Sequence, residues 1–207
     1  MSLDVVLARM SQLQALMSPQ TAAANPAPAA AAATSTSPTS FSTALQSAGT
    51  TTPLAPAAAP TSAGQAIVNL VKQEVGVAEQ PPGSNDSPRI AQFRQATAGS
   101  GVGPWCAYFT SWAAREAGVP LGDNGQGFGR VDDVYAWAQK AGKAVPNTGD
   151  VKPQPGDLIV WDEHIGVVES VGADGTINTI EGNSSDKVST RSYPPGSRPA
   201  IGYVRLG

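Results

Sequence analysis

Residues 156–183 read GDLIVWDEHIGVVESVGADGTINTIEGN, and their periodicity decides the class of fold. Apolar residues recur at a spacing of about two through GDLIVW, HIGVVESV and GTINTIEG, the alternation of strands with one face turned to a core. GADG at 172–175 supplies the Asp-Gly chemistry of a tight hairpin. An antiparallel pair closed there sets position 181 near position 166. Glu181 then lies beside His164, which opens the first strand of the pair.

Upstream the period changes to that of helices. GQAIVNLVKQEVG (64–76) places Ile67, Leu70, Val71 and Val75 on one face and closes with Gly76. A polar turn, EQPPGSNDSP, leads to a short helix from Arg89 to about Gln95. After the Gly-rich loop ATAGSGVG and Pro104, the clearest helix runs from Trp105 to Ala117 and stops at Gly118. Another follows from Val131 to Ala141, with Val134, Trp137 and Ala138 inward, and IGYVRL near the C terminus reads as a further strand. Helices first and an antiparallel sheet afterwards predict an α+β domain over residues 65–207.

The remainder of the chain is of a different kind. All four tryptophans, the single cysteine and the single histidine lie beyond residue 100. Residues 18–64 are almost entirely Ala, Pro, Ser and Thr, which cannot bury enough apolar surface to offset ordering entropy, so a disordered linker is predicted. Residues 1–17 carry Leu3, Val6, Met10, Leu13 and Met17 at three and four spacings, an amphipathic helix with Ser2 placed to cap it. So short a helix needs its stripe covered, either by the domain at 65–207 or by a protein partner.

Several functions are excluded by composition. The net charge is −3, with 14% charged residues and no Lys/Arg cluster, which argues against nucleic-acid binding. One cysteine precludes an internal disulfide, and with one histidine it cannot build a closed zinc site. No stretch approaches the roughly 20 apolar residues of a membrane span. The opening MSLDVVLARM lacks the basic start and continuous apolar run of a conventional signal peptide.

The candidate chemistry rests on Cys106 and His164. Cys106 sits in the first turn of a predicted helix, where unpaired N–H groups and the helix dipole favour a thiolate. By position alone it reads equally as a small buried apolar residue. His164 supplies an imidazole base able to accept the thiol proton near neutral pH, although a lone histidine at a strand start is also an ordinary surface feature. Glu181 is placed to hold the imidazole in one tautomer, although a carboxylate at a strand end is also an ordinary surface feature. Asn183 is placed to steady the same site or to contact substrate, with Gly182 turning the backbone between them. Most aromatic residues read as core, Phe109 and Trp112 packing under the sheet. Trp105, flanking the cysteine, is the candidate to line the cleft and touch substrate.

PWCAYFTSWAAREAG, PQPGDLIVWDEHIGVVESV and TIEGNSS, in that order, resemble the cysteine, histidine-dependent amidohydrolase/peptidase (CHAP) family, as does the preceding GSNDSPRI. The resemblance spans roughly residues 66–205 and implies a papain-like cysteine hydrolase fold acting on peptidoglycan, outside the cytoplasm at the cell wall. It also implies an active-site set of Cys106, His164, Glu181 and Asn183. The family includes N-acetylmuramoyl-L-alanine amidases and stem or cross-bridge endopeptidases, and the loops do not choose between them. Some members bind calcium through clustered aspartates ahead of the cysteine. Here only Asn85 and Asp86 stand there, so no metal and no cofactor are expected.

The implied mechanism is attack by Cys106 on an amide carbonyl. The oxyanion is held by the Cys106 N–H and a second donor, either Asn183 or an amide of the 99–105 loop. The competing reading is an interaction protein that keeps the fold without turnover. A helical leader, a low-complexity linker and a hydrolase domain are similar to wall-remodelling enzymes carried with flagellar or other envelope machines, and to phage lysis or tail enzymes. Either route accounts for the absent signal peptide.

Overall fold

The computed structural model describes residues 61–149 and 151–207. The helix expected over 1–17 and the linker up to residue 60 lie outside the described residues. Order is already present at Thr61, ahead of the expected start at Gln65. Its Oγ1 accepts a hydrogen bond from Gly64 N (2.9 Å) and caps helix α1, Ser62–Gln73. Ile67, Val68 and Val71 form the buried stripe of α1. Val75, expected on that face, lies beyond the last helical turn and is 45% exposed. Helix α2, Pro88–Arg94, starts from a Ser87 cap with proline in the first turn and buries Ile90 and Phe93.

Helix α3, Cys106–Glu116, is buried from Cys106 through Ala114, so it runs through the protein rather than over it. Phe109 and Trp112, three residues apart on α3, meet Phe93 of α2 at ring-centroid distances of 5.2 and 4.9 Å. Arg89 closes the cluster, its guanidinium 4.9 Å from the Trp112 ring centroid while it pairs with Glu74. Helix α4, Val131–Lys140, has Asp132 and Asp133 at its positive end and buries Val131, Val134, Trp137 and Ala138.

Six strands follow: β1 Ala144–Pro146, β2 Leu158–Val160, β3 Ile165–Val171, β4 Ile177–Glu181, β5 Ser189–Tyr193 and β6 Gly202–Val204. They form one sheet in the order β1-β6-β2-β3-β4-β5, every pairing antiparallel. The α+β layout of N-terminal helices followed by an antiparallel sheet, as the papain-like expectation required, is the architecture found. The period of two separates the faces of the sheet. Leu158, Val160, Val167, Ile180 and Val204 join the core shared with the helices, whereas Ile159, Trp161, Val168 and Tyr203 form a second cluster.

The register places the site. Val167 pairs with Ile180, so the next step sets Gly166 opposite Glu181, and the ladder shifts only farther along, between Val168 and Ser170. The connecting turn closes through Gly172 N to Thr176 O (2.8 Å), with Asp174 accepting from Thr176 N and Gly175 at φ +85°. A side chain at Gly166 would place its Cβ 2.7 Å from Glu181 Cγ. Glycine there is what lets the carboxylate lie across the strand.

Candidate active site

Cys106 is the first residue of α3 and is 5% exposed. Trp105 occupies the N-cap without a side-chain cap, so the first-turn N–H groups remain turned toward whatever sits at the helix start. Across from it, His164 closes the three-residue link between Trp161 and β3, its carbonyl accepting from Trp161 N (2.9 Å). The imidazole lies against the Trp161 indole, with ring centroids 5.7 Å apart and planes inclined by 25°.

His164 Nε2 and Glu181 Oε2 are 2.8 Å apart. Glu181 is 1% exposed, and its other oxygen accepts from the hydroxyls of Thr179 (2.5 Å) and Tyr193 (2.9 Å). Three donors therefore hold one buried carboxylate. Burial alone would raise its pKa, but hydrogen bonds from His164 and Thr179 and the histidine charge hold it below the ordinary carboxylate value. For His164, burial alone would lower the pKa, but hydrogen bonding to Cys106 and Glu181, and their charges, raise it to about 9. With Nε2 committed to Glu181, Nδ1 is the ring nitrogen left for the thiol. The arrangement can hold an imidazolium against the buried Glu181 carboxylate and beside Cys106.

Asn183 reaches a different part of the site from the one nearest the histidine. It adopts φ +55°, and with its amide oriented to satisfy both neighbours it accepts from Trp105 N (3.3 Å) and donates to Glu79 Oε1 (3.2 Å). It thus ties the strand-end carboxylate segment to the residue preceding the cysteine. That bond occupies the Trp105 N–H, one of the loop amides considered as an oxyanion donor.

Trp105 does not line the cleft. Its indole is wholly buried, stacks 6.1 Å from Phe93, and donates through Nε1 to Glu79 (2.9 Å). The residue preceding Cys106 is core because its indole packs against Phe93 and Phe109 and is bonded to the buried Glu79. Glu79 was not among the expected site residues. It is 3% exposed, and its second oxygen accepts from Asn85 N (2.8 Å). Thr179, Tyr193 and Trp161, which orient the Glu181–His164 pair, were likewise not expected in that role. Trp161 could have been suspected from standing three residues before the histidine.

Gly182 serves close approach rather than a turn: a Cβ there would lie 2.6 Å from Phe109 Cβ. Substitution Gly182→Ala should therefore destabilise the protein by about 1–3 kcal/mol through overpacking against α3. Urea unfolding midpoints read this, and a shift below about 0.5 kcal/mol would mean that the strand end relaxes freely.

Beside the pair opens a cleft of about 500 Å³ whose walls include His164, Glu181 and Asn183. Among the described residues no group of three or more His, Cys, Asp or Glu is arranged to hold a metal, and no helix is long and apolar enough to cross a membrane.

Residues 97–183 match the family model of the CHAP domain, an interval that includes Cys106, His164, Glu181 and Asn183. No curated protein gives a significant match to the chain. Among solved structures, the crystal structure of an N-acetylmuramoyl-L-alanine amidase from Staphylococcus aureus is similar at 17% identity and a TM-score of 0.42. The likeness covers 54% of this chain and 34% of that one, so it spans about a third of that protein's length.

Proposed function

We propose, from the CHAP domain carried by residues 97–183, that this chain is a peptidoglycan hydrolase cutting an amide bond through Cys106 as nucleophile. The observation that carries this reading is the buried Glu181 bound to His164 Nε2, with the ring's other nitrogen left for the thiol at the start of α3. Such an arrangement has little value to stability alone, since a buried ion pair is commonly no better than an apolar replacement. It fits a base that must be kept charged, oriented and near a nucleophile.

In the reaction, the Cys106 sulfur forms a bond to the amide carbonyl carbon, and the carbonyl electron pair moves onto oxygen beside the Cys106 N–H. Collapse of this intermediate breaks the carbon–nitrogen bond as the His164 imidazolium gives its proton to the departing amine. The neutral imidazole then takes a proton from water, whose oxygen displaces the thiolate and releases the acid. Glu181 keeps the ring in place through both proton transfers, and Asn183 secures the segment before Cys106. The substrate places this activity outside the cytoplasm, at the wall.

The test is mass spectrometry of fragments released from purified peptidoglycan by the full chain, run beside Cys106→Ala. New amino termini paired with free lactyl carboxyls identify the amidase reaction, and new ends within the stem or cross-bridge identify an endopeptidase. Fragment profiles identical to those of the Cys106→Ala control across several wall types would instead favour a non-catalytic interaction protein.

A further inference from the structure

The cleft beside His164 holds more positive charge than the hydrolysis step uses. Arg191 and Arg198 both line it, while Glu163 is the exposed carboxylate on its rim, Glu181 being buried against the histidine. Neither arginine forms an ion pair with any described residue. The protein as a whole is negatively charged, at −3, so this local excess of cations runs against its average.

Both side chains are exposed, yet both are held. Arg191 Nε donates to Ser184 Oγ (2.9 Å) and Nη2 to Ser185 Oγ (2.8 Å). Arg198 Nη1 donates to Tyr193 OH (3.3 Å), and its guanidinium lies over the Trp161 ring at 4.4 Å from the centroid. The serines that seat Arg191 belong to a loop in which Asn183, Ser185 and Asp186 all adopt positive φ, between 55° and 61°. Non-glycine residues in that region cost energy and persist where the surroundings over-determine them. A guanidinium has five N–H donors, so each arginine retains several that no described residue takes. Two oriented forks beside the reacting pair form a carboxylate-binding wall.

We propose that Arg191 and Arg198 seat a carboxylate of an acidic stem peptide beside the scissile amide, so that the enzyme selects wall peptides by their negative charge. This rests on the hydrolase reading above, and its test separates the two.

Titration calorimetry with the full-length Cys106→Ala chain compares a soluble muropeptide bearing free stem carboxylates with the same muropeptide converted to carboxamides. The acid form should bind about tenfold more tightly at low salt, with the difference shrinking as salt is raised. Arg191→Gln and Arg198→Gln should each reduce the ratio, and the double variant should bring it to about one. Because Arg198 also touches Tyr193, Arg198→Lys provides a second measurement. Retention of part of the preference supports charge recognition, whereas a loss equal to that of Arg198→Gln assigns the effect to packing and overturns the seat. Equal affinities for the two ligands, or a ratio that survives in the double variant, overturn it as well. Charge-selective binding without turnover by the unmodified chain supports the carboxylate seat and overturns the hydrolase reading alone. Turnover without charge selectivity does the reverse.

Discussion

Replacing Cys106 with serine is expected to lower the rate of amide cleavage by on the order of 10⁴-fold or more. The serine oxygen fits the volume of the sulfur at the first turn of α3, so the loss tests chemistry rather than packing. A hydroxyl does not ionise near neutral pH, so the variant offers no anionic nucleophile, and the imidazole must remove the hydroxyl proton as the new bond forms. His164→Ala should cost a comparable factor, because in the proposed mechanism the ring supplies both the counter-charge of the sulfur and the proton for the leaving amine. The double variant should be little worse than either single one, as groups acting as one unit are strongly non-additive. Fragment release followed by mass spectrometry reads the rates, and a cooperative unfolding transition retained by each variant separates lost activity from lost fold. Substantial cleavage by Cys106→Ser would sink the nucleophile assignment.

Much of this geometry was legible from periodicity. The switch from a period of 3.6 to a period of two between Ala141 and Gly156 announced helices followed by a sheet, and the Asp-Gly turn at 174–175 set the β3–β4 register. That register brings Glu181 to His164 in space, so a bond across the strands followed from hairpin arithmetic. The edge strands were not legible. β1 has three residues and ends in proline, and β5, SerThrArgSerTyr, is mostly exposed and has no apolar alternation to detect. Missing β5 meant missing Tyr193 and with it one of the donors that hold Glu181.

Other contacts depended on tertiary packing that no local pattern encodes. The EQPPGSNDSP turn reads as surface, yet its first residue, Glu79, is buried and joins Trp105, Asn85 and Asn183. Trp105 was a candidate for the cleft because it adjoins Cys106 in sequence. Successive residues at a helix start point in different directions, and the indole went into the aromatic cluster instead. Gly182 was legible as a constrained position, although the constraint is the approach of Phe109 rather than backbone freedom.

Glu181→Gln should lower turnover by about 10²-fold and move the alkaline limb of kcat/KM to lower pH, with the protein still folded. Glutamine fills the same space, and its amide oxygen can accept the Nε2–H, so the ring keeps its orientation. The Thr179 and Tyr193 hydroxyls, now facing an amide, can rotate to accept. What disappears is the negative charge. His164 stands at about 9 against an ordinary 6.5 because Cys106 and Glu181 together outweigh the cost of burying the imidazolium. Its stabilising contribution is complete below 6.5 and is lost as pH rises through about 9. Glu181 is depressed from its ordinary 4.5, so its contribution is present above that value and is lost as pH falls through the lowered one. Removing the carboxylate should therefore bring the alkaline limb from about 9 downward by about 1 or more, since a close opposite charge commonly moves a pKa by that much. Glu181→Ala differs in kind: it leaves a buried imidazolium without its partner and two hydroxyls without an acceptor, and should cost about 3–5 kcal/mol of stability. Urea denaturation measures that difference between the two variants. An alkaline limb that stays where it is in Glu181→Gln would show that the carboxylate orients the ring without holding its proton, and the charge on His164 would then depend on Cys106 alone.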